Sequence, residues 1–369
     1  GMVLLITVAI LCLIMFLPEV NWKKFLKTRR VGVILLAALT IGVVSEHDIM
    51  QNAKYMTFDM WNVGGNYQDK GFLCMMFAEA QYMSQDAPED YSVSATQHIA
   101  QKYAGAYDDR VKDKEEVRPE NIILIMNESW ADLRYMNEFR KDDMIMPYMD
   151  GLEENVIKGF LHMPVFGAGT ANSEYEVLTG NSMQFLNNGD TAYQLYTSEN
   201  ELGIAATAKV QGYRTAALHP NYGYNWNRNI VYPHMQFEEF YCRENWPFQP
   251  WEEIRWCASD KSSYEALIEL YGSKEKDEKL FSFLVTMQNH GGYDFRDFEP
   301  TVLLGYDTEY PLTEQYLSLI QETDWAFVEL ISYFEAVDEP TMIVMFGDHL
   351  PNIETSFYER LLGVAWNET

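Results

Sequence analysis

Four apolar runs in this chain each end in residues able to do chemistry. NIILIM (121–126) leads into Asn127-Glu128-Ser129, and GYRTAAL (212–218) into His219-Pro220-Asn221. FSFLVTM (281–287) leads into Gln288-Asn289-His290-Gly291-Gly292, and TMIVMF (341–346) into Gly347-Asp348-His349. Three of the seven histidines fall at these ends. Glu128, Asp348 and His349 are hard oxygen and imidazole donors with no thiolate among them. Such a set suits Mn²⁺, Mg²⁺ or Zn²⁺ rather than copper or an iron–sulfur cluster. Taken singly, each residue has a plainer reading: a strand-end carboxylate can cap the next helix, and a lone histidine can be satisfied locally. The joint pattern is what argues for one site.

A nucleophile is offered by VFGAGTANSEYEVLTG (165–180), where Gly167-Ala168-Gly169 precede Thr170 and a helix-like stretch follows. Thr170 then falls at a helix N-terminus, where free backbone N–H groups and the dipole favour a phosphate. Metal coordination would convert its hydroxyl into an alkoxide nucleophile. On local sequence alone, Thr170 or Ser173 reads first as a helix cap. The loop HPNYGYNWNRN (219–229) is dense in Asn and aromatic residues. In it His219, Trp226 and Arg228 are candidates for holding a phosphate and a glycerol or sugar-like substituent, Arg being the natural partner of phosphate oxygens. The plainer reading is a surface loop packed by its own Tyr and Trp.

The elements that must position these groups follow from the pattern. NIILIM and its counterparts are continuous apolar runs, as in strands buried on both faces. Helix-like stretches at 172–186, 198–211, 259–272 and 312–336 alternate with them. The expected fold is α/β, a mostly parallel sheet flanked by helices. In such sheets ligands bind outside the carboxyl ends of the strands, where the candidate residues lie. Ahead of this region, residues 91–107 read as a helix and 111–120 as a charged linker ending at Pro119.

The first 46 residues read as a membrane anchor. Residues 2–17 and 31–44 are uncharged apolar runs, each somewhat short of the ~20 residues that span a bilayer comfortably. Between them lies NWKKFLKTRR, with Lys23, Lys24, Lys27, Arg29 and Arg30. The positive-inside rule places this loop in the cytoplasm and everything after about Ser45 outside it. The expected organisation is an anchor over 1–46, a partly helical linker over 47–118 and a catalytic domain over 119–369. The apolar start and the end just after LLGVAW read as a fragment of a longer chain.

With 369 residues and 47% hydrophobic content the chain can bury a large core. Its net charge of −28 argues against nucleic acid as a partner, since gripping a phosphate backbone needs clustered Lys and Arg. Of the four cysteines none forms a C-x-x-C pair. Cys242 and Cys257 flank a Trp- and Pro-rich loop and are candidates for a disulfide in an oxidising compartment.

G-x-G-T-A-N-S-E-Y-E, H-P-N-Y-x-x-N-W-N-R, M-Q-N-H-G-G-Y and F-G-D-H, in this order after these strands, resemble the lipoteichoic acid synthase family. These are phosphoglycerol transferases of the alkaline phosphatase/sulfatase superfamily. The resemblance implies a sulfatase-like domain on a bacterial cell membrane, facing outward. It implies one Mn²⁺-like ion held by Glu128, Thr170, Asp348 and His349, and substrate-phosphate contacts from His219, Trp226, Arg228 and His290. The implied reaction is attack of Thr170 on phosphatidylglycerol, then transfer of glycerophosphate to a polyglycerophosphate or glycan hydroxyl, with His290 as acid or charge stabiliser. The family also implies about five membrane helices and a fold that continues past the Asp-His strand. The nearest rivals are a sulfatase, a phosphodiesterase and a phosphoethanolamine transferase. The C/S-x-P-x-R motif of formylglycine sulfatases is absent, and threonine cannot form that aldehyde. A membrane-tethered binding domain without turnover is the alternative from another class.

Overall fold

The structure, a computed structural model, describes residues 63–72, 75–76, 91–111, 118–137, 145–186 and 189–366. The expected membrane segments, 2–17 and 31–44, lie outside the described residues. Among those described, no helix is long and apolar enough to cross a membrane.

The chain divides into two compact units, residues 1–91 and 92–369. In the first, the described element is helix α1 (Val63–Lys70). The second opens with α2 (Val93–Val111), then β1 (Asn121–Asn127) and a short α3 (Pro147–Gly151). Next come α4 (Thr170–Thr179), α5 (Ile204–Val210), β2 (Tyr213–His219), α6 (Arg228–His234) and β3 (Glu239–Cys242). A two-stranded hairpin, β4 (Glu253–Ile254) and β5 (Cys257–Ala258), precedes α7 (Asp260–Gly272). The unit closes with β6 (Lys279–Val285), α8 (Pro311–Glu335), β7 (Thr341–Gly347) and α9 (Thr355–Leu362).

Five strands form one sheet in the order β3-β2-β6-β1-β7, every pair parallel. The apolar runs explain this directly. Successive side chains of a strand point to opposite faces, so a strand covered on both sides must be apolar throughout. Leu124 and Met126 of β1 join Phe281, Phe283 and Val285 of β6 in a core under α4, α5 and α6. Ile123 and Ile125 join Ala216, Leu218, Leu280 and Leu284 in a second core under α7 and α8. A third cluster gathers the first half of α8, α9, Leu133 and Tyr293.

The expected α/β layout holds, with three differences. The run TMIVMF reads as doubly buried, yet Met342 and Val344 are exposed. Among the described strands β7 pairs only with β1, at the sheet's edge. The helix expected over 172–186 starts at Thr170 and stops at Thr179, where Gly180 takes a left-handed φ of 73°. That conformation costs glycine little and ends helices routinely. The helix expected over 198–211 is only Ile204–Val210.

Candidate functional site

The site is assembled at the carboxyl ends of the central strands. β1 and β7 run side by side in register, Asn127 opposite Gly347, so the next residues out, Glu128 and Asp348, emerge as neighbours. The turn after β1 is pinned to the β7 end: Ser129 donates its N–H to Asp348 Oδ1 at 2.7 Å, with φ 50° at Ser129. The Ser129 hydroxyl donates to Glu128 Oε1 at 2.9 Å.

Glu128, Asp348 and His349 are all buried, with ligand-capable atoms within 4.8 Å of one another. His349 Nε2 stands 3.7 Å from Glu128 Oε1 and 3.3 Å from Asp348 Oδ2. His349 Nδ1 contacts the Leu350 carbonyl at 2.9 Å. A carbonyl can only accept, so Nδ1 carries a proton, and in the neutral ring the Nε2 lone pair faces the two carboxylates. A backbone partner on one ring nitrogen that frees the other is how metal-binding histidines are oriented.

Two buried carboxylates side by side repel. Burial first, and then the charge of Glu128, push the Asp348 carboxyl well above its ordinary range, with His349, Thr170 and Ser129 working against the rise. Asp348 Oδ2 is buried with no hydrogen-bond donor. An orphaned carboxylate oxygen is costly, and a divalent cation would resolve both it and the repulsion. The residues present therefore fit the implied ion: Glu128, Asp348 and His349 would hold it, with the Thr170 hydroxyl beside them.

Thr170 is the first residue of α4, not its cap. The cap position is Gly169, at φ 93°, and no side chain bonds there. Ser173 is not a cap either: its hydroxyl donates to the Asp348 backbone carbonyl at 2.6 Å. That bond fastens α4 to the strand end that carries the acids. A second fastening joins Gly167 N–H to the Leu350 carbonyl at 3.0 Å. Thr170 is thereby held buried beside Asp348, with a ten-residue helix dipole behind it.

His219 and Arg228 meet in a buried cluster. His219 donates from Nδ1 to the Val285 carbonyl at 3.0 Å, and its Nε2 accepts from Arg228 Nη1 at 3.1 Å. Burial, then the adjacent Arg228 charge, hold its pKa well below the usual value, so the ring is neutral. Glu174 of α4, fully buried, accepts from Arg228 Nε at 3.0 Å and Nη2 at 2.5 Å. It also accepts from the Tyr193 and Tyr232 hydroxyls at 3.0 and 2.6 Å. Arg228, a candidate for phosphate, has three of its five donor positions engaged and two left. Glu174 was missed, although it lies within the quoted T-A-N-S-E motif.

Trp226 is half-buried with φ 57°, and Asn227 beside it also has φ 57°. Consecutive left-handed non-glycine residues are uncommon and cost of order 1–3 kcal/mol each. Trp226 packs against the α4–α6 core rather than standing free. His290 is exposed, its ring 5.4 Å from that of Trp256. Arg255, also missed, contacts the backbone of the His290 loop. Cys242 and Cys257 are free, buried thiols rather than a disulfide, and burial pushes them up to about 11 and about 12.

Residues 120–367 match the family model described as Sulfatase. A "Putative cyclic beta-1,2-glucan modification protein" of Rhizobium meliloti (strain 1021) is 29% identical over 349 residues, 91% of this chain and 52% of that protein. The lipoteichoic acid synthase of Staphylococcus aureus (strain USA300) is 24% identical over 256 residues, 67% of this chain and 38% of that protein. Among solved structures, the phosphoglycerol transferase GacH of Streptococcus pyogenes, in complex with sn-glycerol-1-phosphate, superposes with a TM-score of 0.62 at 23% identity, covering 76% of this chain and 74% of that one. The lipoteichoic acid synthase LtaP of Listeria monocytogenes gives 0.52 at 22% identity, covering 62% and 56%. The chain spans about half, or less, of the length of these curated relatives. The chain belongs to the Sulfatase family, and within it is similar to lipoteichoic acid synthases and phosphoglycerol transferases.

Proposed function

We propose that this chain carries the catalytic domain of a divalent-metal-dependent phosphoglycerol transferase. It moves glycerophosphate from a phosphatidylglycerol-type lipid to a hydroxyl of a glycan or polyglycerophosphate, through a phosphothreonine at Thr170. The observation that carries this reading is the placement of Thr170, at the start of α4 and beside the buried Glu128, Asp348 and His349.

A bound divalent cation, Mn²⁺ in this reading, would lower the pKa of the Thr170 hydroxyl and offset phosphate charge. In the first half-reaction Thr170 Oγ, its hydroxyl proton already lost to solvent, bonds to phosphorus as the bond to the diacylglycerol oxygen breaks, and in the second it leaves as the same alkoxide. His290 supplies the proton that the leaving alkoxide needs. In the second, the acceptor hydroxyl attacks phosphorus, Thr170 leaves, and the acceptor's proton returns to His290. Neutral His219 donates no charge of its own; through Nε2 it holds the Arg228 guanidinium, whose remaining N–H groups and positive charge favour the phosphate. The apolar segments 2–17 and 31–44 would hold the domain at the extracytoplasmic face of the cell membrane, within reach of lipid head groups. The glucan named in the R. meliloti relative, the phosphoglycerol transferase name of GacH and the lipoteichoic acid synthase name of LtaP support a carbohydrate or glycerophosphate acceptor.

The test is release of diacylglycerol from fluorescent phosphatidylglycerol by the Mn²⁺-loaded chain, with Thr170→Ala alongside and mass spectrometry of the Thr170 peptide. Release by the parent alone, with a glycerophosphate adduct on Thr170, is expected. Equal release by both proteins sinks the threonine nucleophile. Turnover of sulfate esters or phosphatidylethanolamine without phosphatidylglycerol cleavage would favour the rival chemistries, and no turnover at all the binding domain.

A further inference from the structure

The hairpin β4–β5 sits where nothing in the proposed chemistry requires it, yet its turn reaches the loop that carries His290. Its two turn residues are Arg255 and Trp256. Arg255 takes φ 62°, a left-handed conformation that primed hairpin turns need and that glycine or asparagine usually fills. Its Nε is buried with no partner. Both features cost stability, and both are retained at a residue whose remaining nitrogens all go to one place. Nη1 donates to the Gly292 carbonyl at 3.0 Å, and Nη2 to the Gln288 and His290 carbonyls at 2.7 and 2.8 Å. The guanidinium also lies 5.6 Å from the ring centroid of Tyr293.

The loop so gripped carries His290. From inside the protein it is held by α8: Gln288 Nε2 donates to the Leu319 carbonyl at 3.1 Å, and Asn289 Nδ2 to Thr323 Oγ1 at 3.0 Å. Residues 281–289 are all buried, and His290 is the first to emerge. As it emerges its ring meets the indole of Trp256 edge to face, at 5.4 Å and 72°. One turn thus fixes both the backbone and the ring of His290.

We propose that Arg255 and Trp256 are positioning residues for His290: the guanidinium clamps the loop and the indole sets the imidazole's plane. The assignment rests on the reading above, in which His290 exchanges a proton with the departing and entering oxygens. A residue that must meet a proton within hydrogen-bond reach has to be held within a fraction of an ångström; the loop itself offers the exposed His290 ring only a 3.3 Å contact of Nδ1 with the Gly291 carbonyl, and Trp256 adds the second hold.

The experiment compares two donors on the full Mn²⁺-loaded chain: phosphatidylglycerol, and a glycerophospho-p-nitrophenyl ester whose leaving group needs no proton. His290→Ala should lower kcat on the lipid by about 10²–10⁴-fold and on the nitrophenyl ester far less. Arg255→Lys and Trp256→Ala should show the same donor preference at roughly 10- to 100-fold, with KM little changed, and add nothing further in the His290→Ala background. Trp256 is 46% exposed, so its truncation leaves folding intact and keeps the test decisive where Arg255→Lys does not. Equal losses on both donors, or losses that multiply with His290→Ala, overturn the positioning role. If His290→Ala itself shows no donor preference, the proton role in the proposed function fails, and the additivity of the double variants still decides the positioning.

Discussion

Gly347 lies against the backbone of Trp130: a Cβ built on Gly347 would stand 1.7 Å from the Trp130 carbonyl oxygen. The atom in the way is backbone, so no rotamer change can make room. This contact lets the turn after β1 fold down beside β7, where Ser129 N–H reaches Asp348. Gly347→Ala is therefore expected to separate Glu128 from Asp348. It should cost about 3 kcal/mol or more in urea unfolding, the upper end for overpacking, and abolish Mn²⁺ binding by calorimetry. Wild-type affinity in a folded Gly347→Ala protein would show that the contact does not set the site.

Asp348 carries a prediction of opposite sign for the metal-free and loaded states. Without a cation, its buried Oδ2 has no donor and faces the charge of Glu128. Asp348→Asn keeps the acceptor for Ser129 and replaces the repelled oxygen with a donor. The metal-free variant should melt a few degrees above the parent, as expected for 1–2 kcal/mol in a domain of this size, while the rise on adding Mn²⁺ disappears. Thermal scans with EDTA and with Mn²⁺ check both halves. A variant that melts lower in EDTA would mean that the acid pair is not strained.

The legible parts of this molecule were the local ones. A continuous apolar run followed by Glu128 or Asp348-His349 is contained in a dozen residues, and the rule that parallel strands present their ends at one edge did the rest. β3 escaped notice because EFYC is four residues at the sheet's edge, too short for a pattern. The early end of α4 was readable in Thr179-Gly180, a glycine stop inside an apolar-periodic stretch. Glu174 and Arg255 were not readable in their roles. Their partners lie 54 residues away at Arg228 and 33 or more away at Gln288 and His290, and nothing local marks such pairings.

Glu174 and Arg228 form a buried ion pair whose acid also takes two tyrosine hydroxyls. Glu174→Gln leaves the guanidinium uncompensated, which should cost roughly 3–5 kcal/mol. It should also cost activity, because Arg228 loses the fork that aims it. A Glu174→Gln/Arg228→Met double variant should regain much of the stability and none of the turnover. Denaturant unfolding and lipid-donor assays on the pair separate the two effects; a stable single Glu174→Gln variant would contradict the role assigned to the pair.

Asp260, buried away from the cation's donor set, carries a prediction on pH. It opens α7, where the helix dipole favours a carboxylate by about 0.3–1 kcal/mol. Burial outweighs this and, with a smaller push from Glu128, raises the group to about 6 from 3.8, despite the 2.6 Å bond from the Thr323 hydroxyl. A carboxyl whose folded pKa is raised stabilises the fold fully below its unfolded pKa, and that contribution is lost as pH rises through the folded value. The loss should run from about pH 4 to about pH 6 and reach on the order of 3 kcal/mol. Asp260→Asn keeps an acceptor for Thr323 and cannot ionise. In EDTA, its stability relative to the parent should therefore grow between pH 4 and 6 and level off above. A difference that stays flat over that range in paired urea titrations would show that Asp260 ionises as easily in the fold as out of it.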